Sequence, residues 1–211
     1  MVFRLDKRIL FPEPALAEPD GLLAVGGDLS TERLLLAYQN GIFPWYSEGE
    51  PILWFSPHER FVLFPGELKI SKSMKQVLGS NRFIITNDEC FDDVVSACSA
   101  IERRGQDGTW ITSAMKAAYK KLHAKGYAHS TEVWQQNNLV GGLYGVNIGN
   151  VFCGESMFNL AANASKTALI HLCSSGLYRL IDCQVHTPHL ESMGARMISR
   201  EEYMEVLRND W

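Results

Sequence analysis

With 211 residues, 46% of them hydrophobic, the chain can build one large domain, or a large one with a small companion, and is too apolar to remain disordered. A formal charge of −4 excludes a protein coated in basic charge, though not a local basic patch. The five cysteines, Cys90, Cys98, Cys153, Cys173 and Cys183, are odd in number, widely spaced and free of any CxxC pair, which fits reduced thiols better than a disulfide framework or a zinc site. The opening MVFRLDKRILFPEP breaks its apolar residues with charges, unlike a signal peptide, and no run approaches the roughly 20 apolar residues that cross a bilayer. A soluble cytoplasmic protein with no membrane partner is therefore expected.

Up to about Pro57 the chain is rich in Gly, Pro and aromatic residues and reads as a small, loop-rich N-terminal domain, 1–58. Within it Asp28 to Ser30 starts a helix carrying Leu34, Leu35 and Tyr38, and Gly41 ends it. From residue 59 to 211 strands and helices alternate. A strand is expected over 61–64, and Ser71 caps a helix with Met74, Val77 and Leu78 on its inner face. Another strand covers 83–86, and Asn87 caps a helix with Phe91, Val94, Val95 and Cys98 inward. Thr112 caps a further helix with Met115, Tyr119 and Leu122 inward and Gly126 as its stop. Strands over 129–134 and 139–146 flank a hairpin turn, and 151–158 adds a third strand to that meander. A helix over 164–175, a strand over 180–185 and a final helix behind the capping box of Ser199 and Glu202 complete the pattern. The class is α+β, with a mostly antiparallel mixed sheet flanked by helices.

Five groups of residues stand out. In 180–185 strand alternation puts Asp182 and Gln184 on one face, which is costly if they are buried without purpose, although a strand end facing water explains them almost as well. In 152–158 alternation groups Phe152, Gly154, Ser156 and Phe158 against Cys153, Glu155 and Met157. Gly154 marks a place of close approach, and Glu155 is either an anionic anchor or an exposed charge. Asn163, Ser165 and Lys166 sit at a strand-to-helix junction whose free N–H groups suit phosphate or ribose, or form a plain helix cap. Lys69, Lys72 and Lys75 recur every three residues along one broad helix face if Lys69 joins the helix. A run of this kind is usually a solvated face, yet it is the best phosphate-binding patch in an acidic chain. Trp45, Tyr46, Trp54, Phe55 and Trp110 are core aromatics by default, but Trp45 and Trp110 lie in Gly- or Pro-flanked stretches where a pocket wall is plausible. The six histidines show no metal-ligand spacing, and no metal is expected.

Taken together, EPDGLLAVGGDLS, AYQNGIFPWYSEGEPILWFSP, DGTWIT, AHSTEVW, LVGGLYGV, FCGESMF, NASKTAL and LIDCQV resemble, in order and spacing, the leucyl/phenylalanyl-tRNA–protein transferases over nearly the whole chain. Two departures are visible: many members continue past the position of Trp211, and Gln76 follows Lys75 where relatives are often more basic. The resemblance implies a GNAT-like acyltransferase domain behind the small N-terminal one. It also implies transfer of Leu or Phe, with Met as a further candidate, from aminoacyl-tRNA to the α-amine of a protein beginning with Arg or Lys, marking that protein for degradation. No cofactor is implied, and a monomer is expected. By resemblance Asp182, Gln184 and Glu155 sit at the reacting centre; Trp45, Trp110, Phe152 and Met157 wall the aminoacyl pocket; and Lys69, Lys72, Lys75, Asn163, Ser165 and Lys166 meet the tRNA.

The implied step is aminolysis of an ester. An ordinary Asp, with a pKa of about 3.9, is a poor base for an ammonium near 7.7–8.0, so Asp182 is better suited to orienting the amine, with Gln184 supporting it and Glu155 attracting the cation. Two rivals share parts of the pattern. A CoA-dependent acetyltransferase usually wants a glycine-rich turn under the pyrophosphate, and the stretch 159–165 has no glycine. A non-enzymatic tRNA-binding module explains the lysines but not three polar residues on apolar strands.

Overall fold

The computed structural model describes residues 2–101 and 110–208. Asp107, Gly108 and Thr109 of the DGTWIT motif therefore lie outside the described residues. The N-terminal segment is more regular than its Gly- and Pro-rich composition suggests. Strands β1 (Phe3–Leu5) and β2 (Leu22–Gly26) precede helix α1 (Thr31–Gln39), and β3 (Phe43–Pro44) and β4 (Leu53–Phe55) follow it. They form a small sheet in the order β1-β2-β4-β3. Strands this short, down to two residues, show no alternation that a sequence reading could detect. Trp54 pins the sheet: it is fully buried and its indole N–H donates to the Gly26 carbonyl at 2.8 Å. Ser30 caps α1 as expected, Leu34 and Tyr38 are buried, and Gly41 leaves the helix at φ +66°, a conformation open to glycine at no steric cost.

The second sheet is built from β5 (Glu59–Leu63), then β6 (Ile84–Asn87) after helix α2 (Lys72–Gly79). Helices α3 (Phe91–Ala100) and α4 (Ser113–Ala124) lead to the meander β7 (Ala128–Gln135), β8 (Asn138–Ile148) and β9 (Val151–Asn159). Helix α5 (Ala164–Ser174) crosses to β10 (Leu180–Gln184), and α6 (Pro188–Ser192), β11 (Arg196–Ser199) and α7 (Arg200–Arg208) finish the chain. Among the described residues the strand order is β11-β5-β10-β9-β8-β7-β6. The β9–β10 pair is parallel and every other neighbour antiparallel. The crossover through α5 explains the exception, since parallel neighbours need a long connection. Helices cover both faces: Val94, Tyr119 and Tyr203 belong to one apolar cluster, which also takes in Leu23 and Trp54 of the small sheet, while Met74, Leu169 and Leu190 belong to the other. Among the described residues no helix is long and apolar enough to cross a membrane.

Several local expectations change. Cys90, not Asn87, stands at the N-cap of α3; Asn87 ends β6, where its side-chain oxygen accepts from Thr131. Leu78 is exposed, and α2 packs through Met74 and Val77. Lys69 does not join α2, which begins at Lys72; its N–H donates instead to the Met193 carbonyl at 2.8 Å. Lys69, Lys72 and Lys75 therefore do not share one helix face, although all three are exposed. Ser199 caps α7 through the Glu202 N–H at 3.1 Å.

One buried ion pair ties these parts together. Arg60 on β5 and Asp182 on β10 are 2% and 0% exposed, and the guanidinium grips the carboxylate through Nε at 3.0 Å to both oxygens and Nη2 at 2.8 Å. Arg60 Nη1 also donates to the Gly41 carbonyl behind α1 at 3.0 Å, and the cation lies between the rings of Phe43 and Tyr203. The Tyr203 hydroxyl on α7 donates to Asp182 Oδ2 at 2.9 Å. Burial alone would lower the arginine pKa, but the Asp182 carboxylate beside it leaves it raised. The small sheet, the large sheet and the last helix thus meet on one charge pair. Removing one member leaves an uncompensated buried charge, so Asp182→Ala should cost about 3–5 kcal/mol. The double replacement Arg60→Met with Asp182→Leu should recover most of that loss. Urea denaturation of the three proteins checks this, and a double variant no more stable than the single would show that the pair is not the determining contact.

Candidate active site

A cavity of about 650 Å³ opens where β9 and β10 part company. Their parallel pairing covers Leu180 with Val151, Ile181 with Phe152 and Asp182 with Cys153, and stops there. Two irregularities cause the parting. Gln184 adopts φ +60°, at a register break between β10 and β5. On β9 the register against β8 slips between the Gly145–Gly154 and Tyr144–Ser156 pairs, leaving Glu155 as an extra, bulged residue. A Cβ on Gly145 would come within 2.3 Å of the Cys153 carbonyl oxygen, so the strand opposite the bulge requires glycine there.

The bulge inverts strand alternation. Phe152 and Met157 pack in one apolar cluster and Cys153 and Phe158 in the other, whereas unbroken alternation would pair Phe152 with Phe158 and Cys153 with Met157. Gly154 does mark a close approach, but what approaches is the neighbouring strand: a Cβ there would lie 3.2 Å from the Asp182 carbonyl oxygen.

Glu155 is 7% exposed and reaches a polar triangle. Tyr38 from α1 meets Oε1 at 2.8 Å, Tyr119 from α4 meets Oε2 at 2.7 Å, and the two phenol oxygens lie 2.6 Å apart. Three contacts need three protons, and two phenols supply only two. The third is present when Glu155 is itself protonated. Burial pushes the Glu155 carboxyl up to about 7, against the pull of Tyr119, Tyr38 and Gln184, and the proton count agrees. Both phenols are held well above their ordinary pKa, first by burial and then by Glu155, so they remain donors. Gln184 donates its Nε2 to Glu155 Oε1 at 2.8 Å, which leaves the amide oxygen as its acceptor. The Gln184 backbone N–H donates to Asp182 Oδ1 at 2.9 Å, so the ion pair fixes the residue that orients the amide.

Every residue assigned above to the aminoacyl wall lines this one cavity: Trp45, Trp110, Phe152 and Met157, with Trp45 37% exposed. Glu155, Gln184, Asn163, Ser165 and Lys166 line it too. Asn163 is not an ordinary cap, since it stands at φ +73° and makes no side-chain cap bond. Lys69, Lys72 and Lys75 do not line the cavity. Sequence reasoning missed Leu143, Leu169, Leu172 and Ile181, which complete the apolar part, because core leucines and slot leucines carry the same periodicity. It also missed Tyr38 and Tyr119, whose helical spacing resembles plain core, and Arg60, whose charge at the head of an apolar strand was the available signal. The result is an apolar slot beside a carboxyl that titrates near neutrality and an amide of fixed orientation. Such a site can hold an acyl group with an apolar side chain and handle the proton of an amine.

The chain is similar to known proteins over nearly its whole length. Residues 62–208 match the family model described as leucyl/phenylalanyl-tRNA protein transferase, and residues 27–58 match that of its N-terminal domain. The chain is 57% identical over 209 residues to the leucyl/phenylalanyl-tRNA–protein transferase of Syntrophobacter fumaroxidans, covering 98% of this chain and 89% of that one. It is 53% identical over 211 residues to the protein of the same name from Flavobacterium johnsoniae, covering 99% of this chain and 100% of that one. Among solved structures, a GCN5-related N-acetyltransferase from Kribbella flavida is similar over 75% of this chain and 57% of that one, at 8% identity and a TM-score of 0.38. The chain belongs to the leucyl/phenylalanyl-tRNA–protein transferase family, aminoacyltransferases that move Leu or Phe from tRNA to proteins.

Proposed function

We propose that the cavity between β9 and β10 receives the leucylated or phenylalanylated 3′ end of a tRNA and passes the amino acid to the α-amine of a protein beginning with Arg or Lys, in the cytoplasm, by a monomer that needs no cofactor. The observation that carries this reading is the convergence of an apolar slot, a near-neutral carboxyl and an oriented amide in one cavity. Residues 59–211 act as the catalytic domain, while the small domain, residues 1–58, contributes Trp45 to the cavity wall.

Phe152, Met157 and Trp110 wall the slot for the transferred side chain. A slot of this kind admits Leu and Phe and crowds a branch at Cβ, with a selectivity of about 1–3 kcal/mol per methyl. Asn163, Ser165 and Lys166 take the sugar-phosphate end. Asp182 is a positioning residue: Arg60 and Tyr203 occupy its carboxylate, and it acts through the Gln184 N–H. The Gln184 amide oxygen receives an N–H of the incoming amine. Glu155, once ionised, attracts the cationic N-terminus; the ammonium gives up one proton to solvent, and Glu155 takes a second from the neutral amine as its nitrogen bonds to the ester carbon. The C–O bond to the ribose then breaks, and the departing oxygen leaves with that proton. Trp45 at the exposed edge offers an aromatic face to an Arg or Lys side chain.

Mixing the protein with radiolabelled Leu-tRNA, acetyl-CoA and an Arg-starting peptide tests the reaction. Leucyl label should enter the peptide and acetyl should not; Arg- and Lys-starting peptides should react, and Asp- and Glu-starting ones should not. Equal rates on Arg- and Asp-starting peptides would overturn the assignment of the acceptor.

Glu155 predicts a pH signature. Its carboxyl rises from an ordinary 4.5 to about 7 on folding, so between these values the unfolded chain ionises while the folded one does not. Wild-type stability should therefore fall by about 3 kcal/mol between pH 4.5 and pH 8 relative to Glu155→Gln. In single-turnover transfer the same variant should lose the rise in rate near pH 7 and keep only that of the amine near 7.7–8.0. Parallel stability curves for the two proteins would show that Glu155 does not titrate in this window.

Lys72 and Lys75 are proposed as contacts to the body of the tRNA, outside the cavity. Replacing both by Ala should flatten the slope of log K against log salt by roughly 1.4–1.8. An unchanged slope would mark them as a solvated face.

A further inference from the structure

The chemistry above leaves some polar residues of the cavity without a role. His189, in α6, lines the cavity, and its Nε2 is buried without a hydrogen-bond partner among the described residues. An unpaired buried ring nitrogen is costly unless a ligand completes it. Lys166 lines the same cavity, close enough that, after burial, it is the second cause lowering the imidazole pKa. Burial and Lys166 hold the imidazole below its ordinary pKa, which favours the neutral ring, and such a ring can present Nε2–H as a donor in a cavity that Lys166 also lines. Thr187, another cavity residue, caps α6 by accepting from the Leu190 N–H at 3.2 Å, which fixes the turn that carries the ring.

We infer that His189 and Lys166 bind the last phosphodiester of the donor tRNA, the one joining its two terminal nucleotides. This rests on the reading of the cavity given above. An N–H donor that shares a cavity with a cation calls for an anionic oxygen, and the aminoacyl end itself supplies none, because its carboxyl is esterified and its amine is neutral or positive. The nearest anion on a tRNA 3′ end is that phosphate, one nucleoside from the ester. A cavity of about 650 Å³ has room for more than a leucyl or phenylalanyl side chain, as this placement requires.

Two minimal donors separate the possibilities: phenylalanyl-adenosine, which has no phosphate, and phenylalanyl-cytidylyl-adenosine, which has the terminal phosphodiester. With an Arg-starting peptide as acceptor, the wild type should show a lower KM for the dinucleotide. In His189→Leu, and independently in Lys166→Met, that advantage should shrink about tenfold or more, as expected for losing a hydrogen bond to a charged group. His189→Leu should also keep or raise the Tm, since it removes an unpaired polar atom, whereas a merely structural histidine would lower it. Should His189→Leu fail to fold, Lys166→Met carries the comparison. A wild type without preference for the dinucleotide, or variants that keep the full preference, would overturn the phosphate site alone. A wild type that transfers from neither minimal donor nor intact Phe-tRNA would sink the reading of the cavity along with it.

Discussion

The buried pair of Arg60 and Asp182 is the contact on which the remainder depends. A guanidinium brought out of water is tolerated only if its donors are matched, and here a carboxylate, a main-chain carbonyl and two aromatic faces surround it. Each partner comes from a different part of the chain: Gly41 and Phe43 from the N-terminal segment, Asp182 from β10, Tyr203 from the last helix. The same carboxylate that holds the parts together receives the Gln184 N–H, at the residue where β10 turns away from its neighbours. Fold and site thus share one electrostatic centre, and damage to Asp182 is expected to affect both.

Two carboxyls, placed 27 residues apart in sequence, acquire opposite characters from their surroundings. Asp182 meets an arginine and stays committed to it. Glu155 meets two phenols and an amide, neutral donors that offset only part of the cost of burial, and its pKa climbs to about 7. An acceptor amine titrates near 7.7–8.0, close to Glu155, and this is what the proposed reaction uses. The difference between the two carboxyls is set by partners rather than by residue type.

The cavity exists because a sheet has been prevented from closing. A parallel pair normally runs on to the ends of both strands, but a bulge on β9 and a left-handed residue on β10 part them after three pairs. The gap passes between the two apolar clusters, which is why residues from both, Tyr144 on one side and Leu169 on the other, border one space. His189, whose Nε2 has no hydrogen-bond partner among the described residues, lines this same gap.

Much of this was legible in the amino-acid order. Alternation and capping located β7, β8, β9, β10 and the starts of α1, α2, α4 and α7, because those signals are local: a serine or threonine accepts an N–H three residues on, and an apolar face repeats at 2 or 3.6. The motifs by themselves carried the resemblance to the family, and they named residues that the fold gathers into one cavity. Local rules failed where a partner arrives from far along the chain. Nothing near Asp182 in sequence announces Arg60, 122 residues away, and nothing near Glu155 announces Tyr38, 117 residues away. The parity of β9 could not be read either, since a bulge adds one residue without a composition of its own and turns every later side chain over. Helix periodicity likewise extended a lysine stripe to Lys69, which the main-chain bond to Met193 holds outside α2. Periodicity and caps were settled by neighbours in sequence. Which carboxylate pairs with an arginine, and which meets only phenols and an amide, was decided by the tertiary structure alone, because these partners are brought together by distance in space and not by neighbours in sequence.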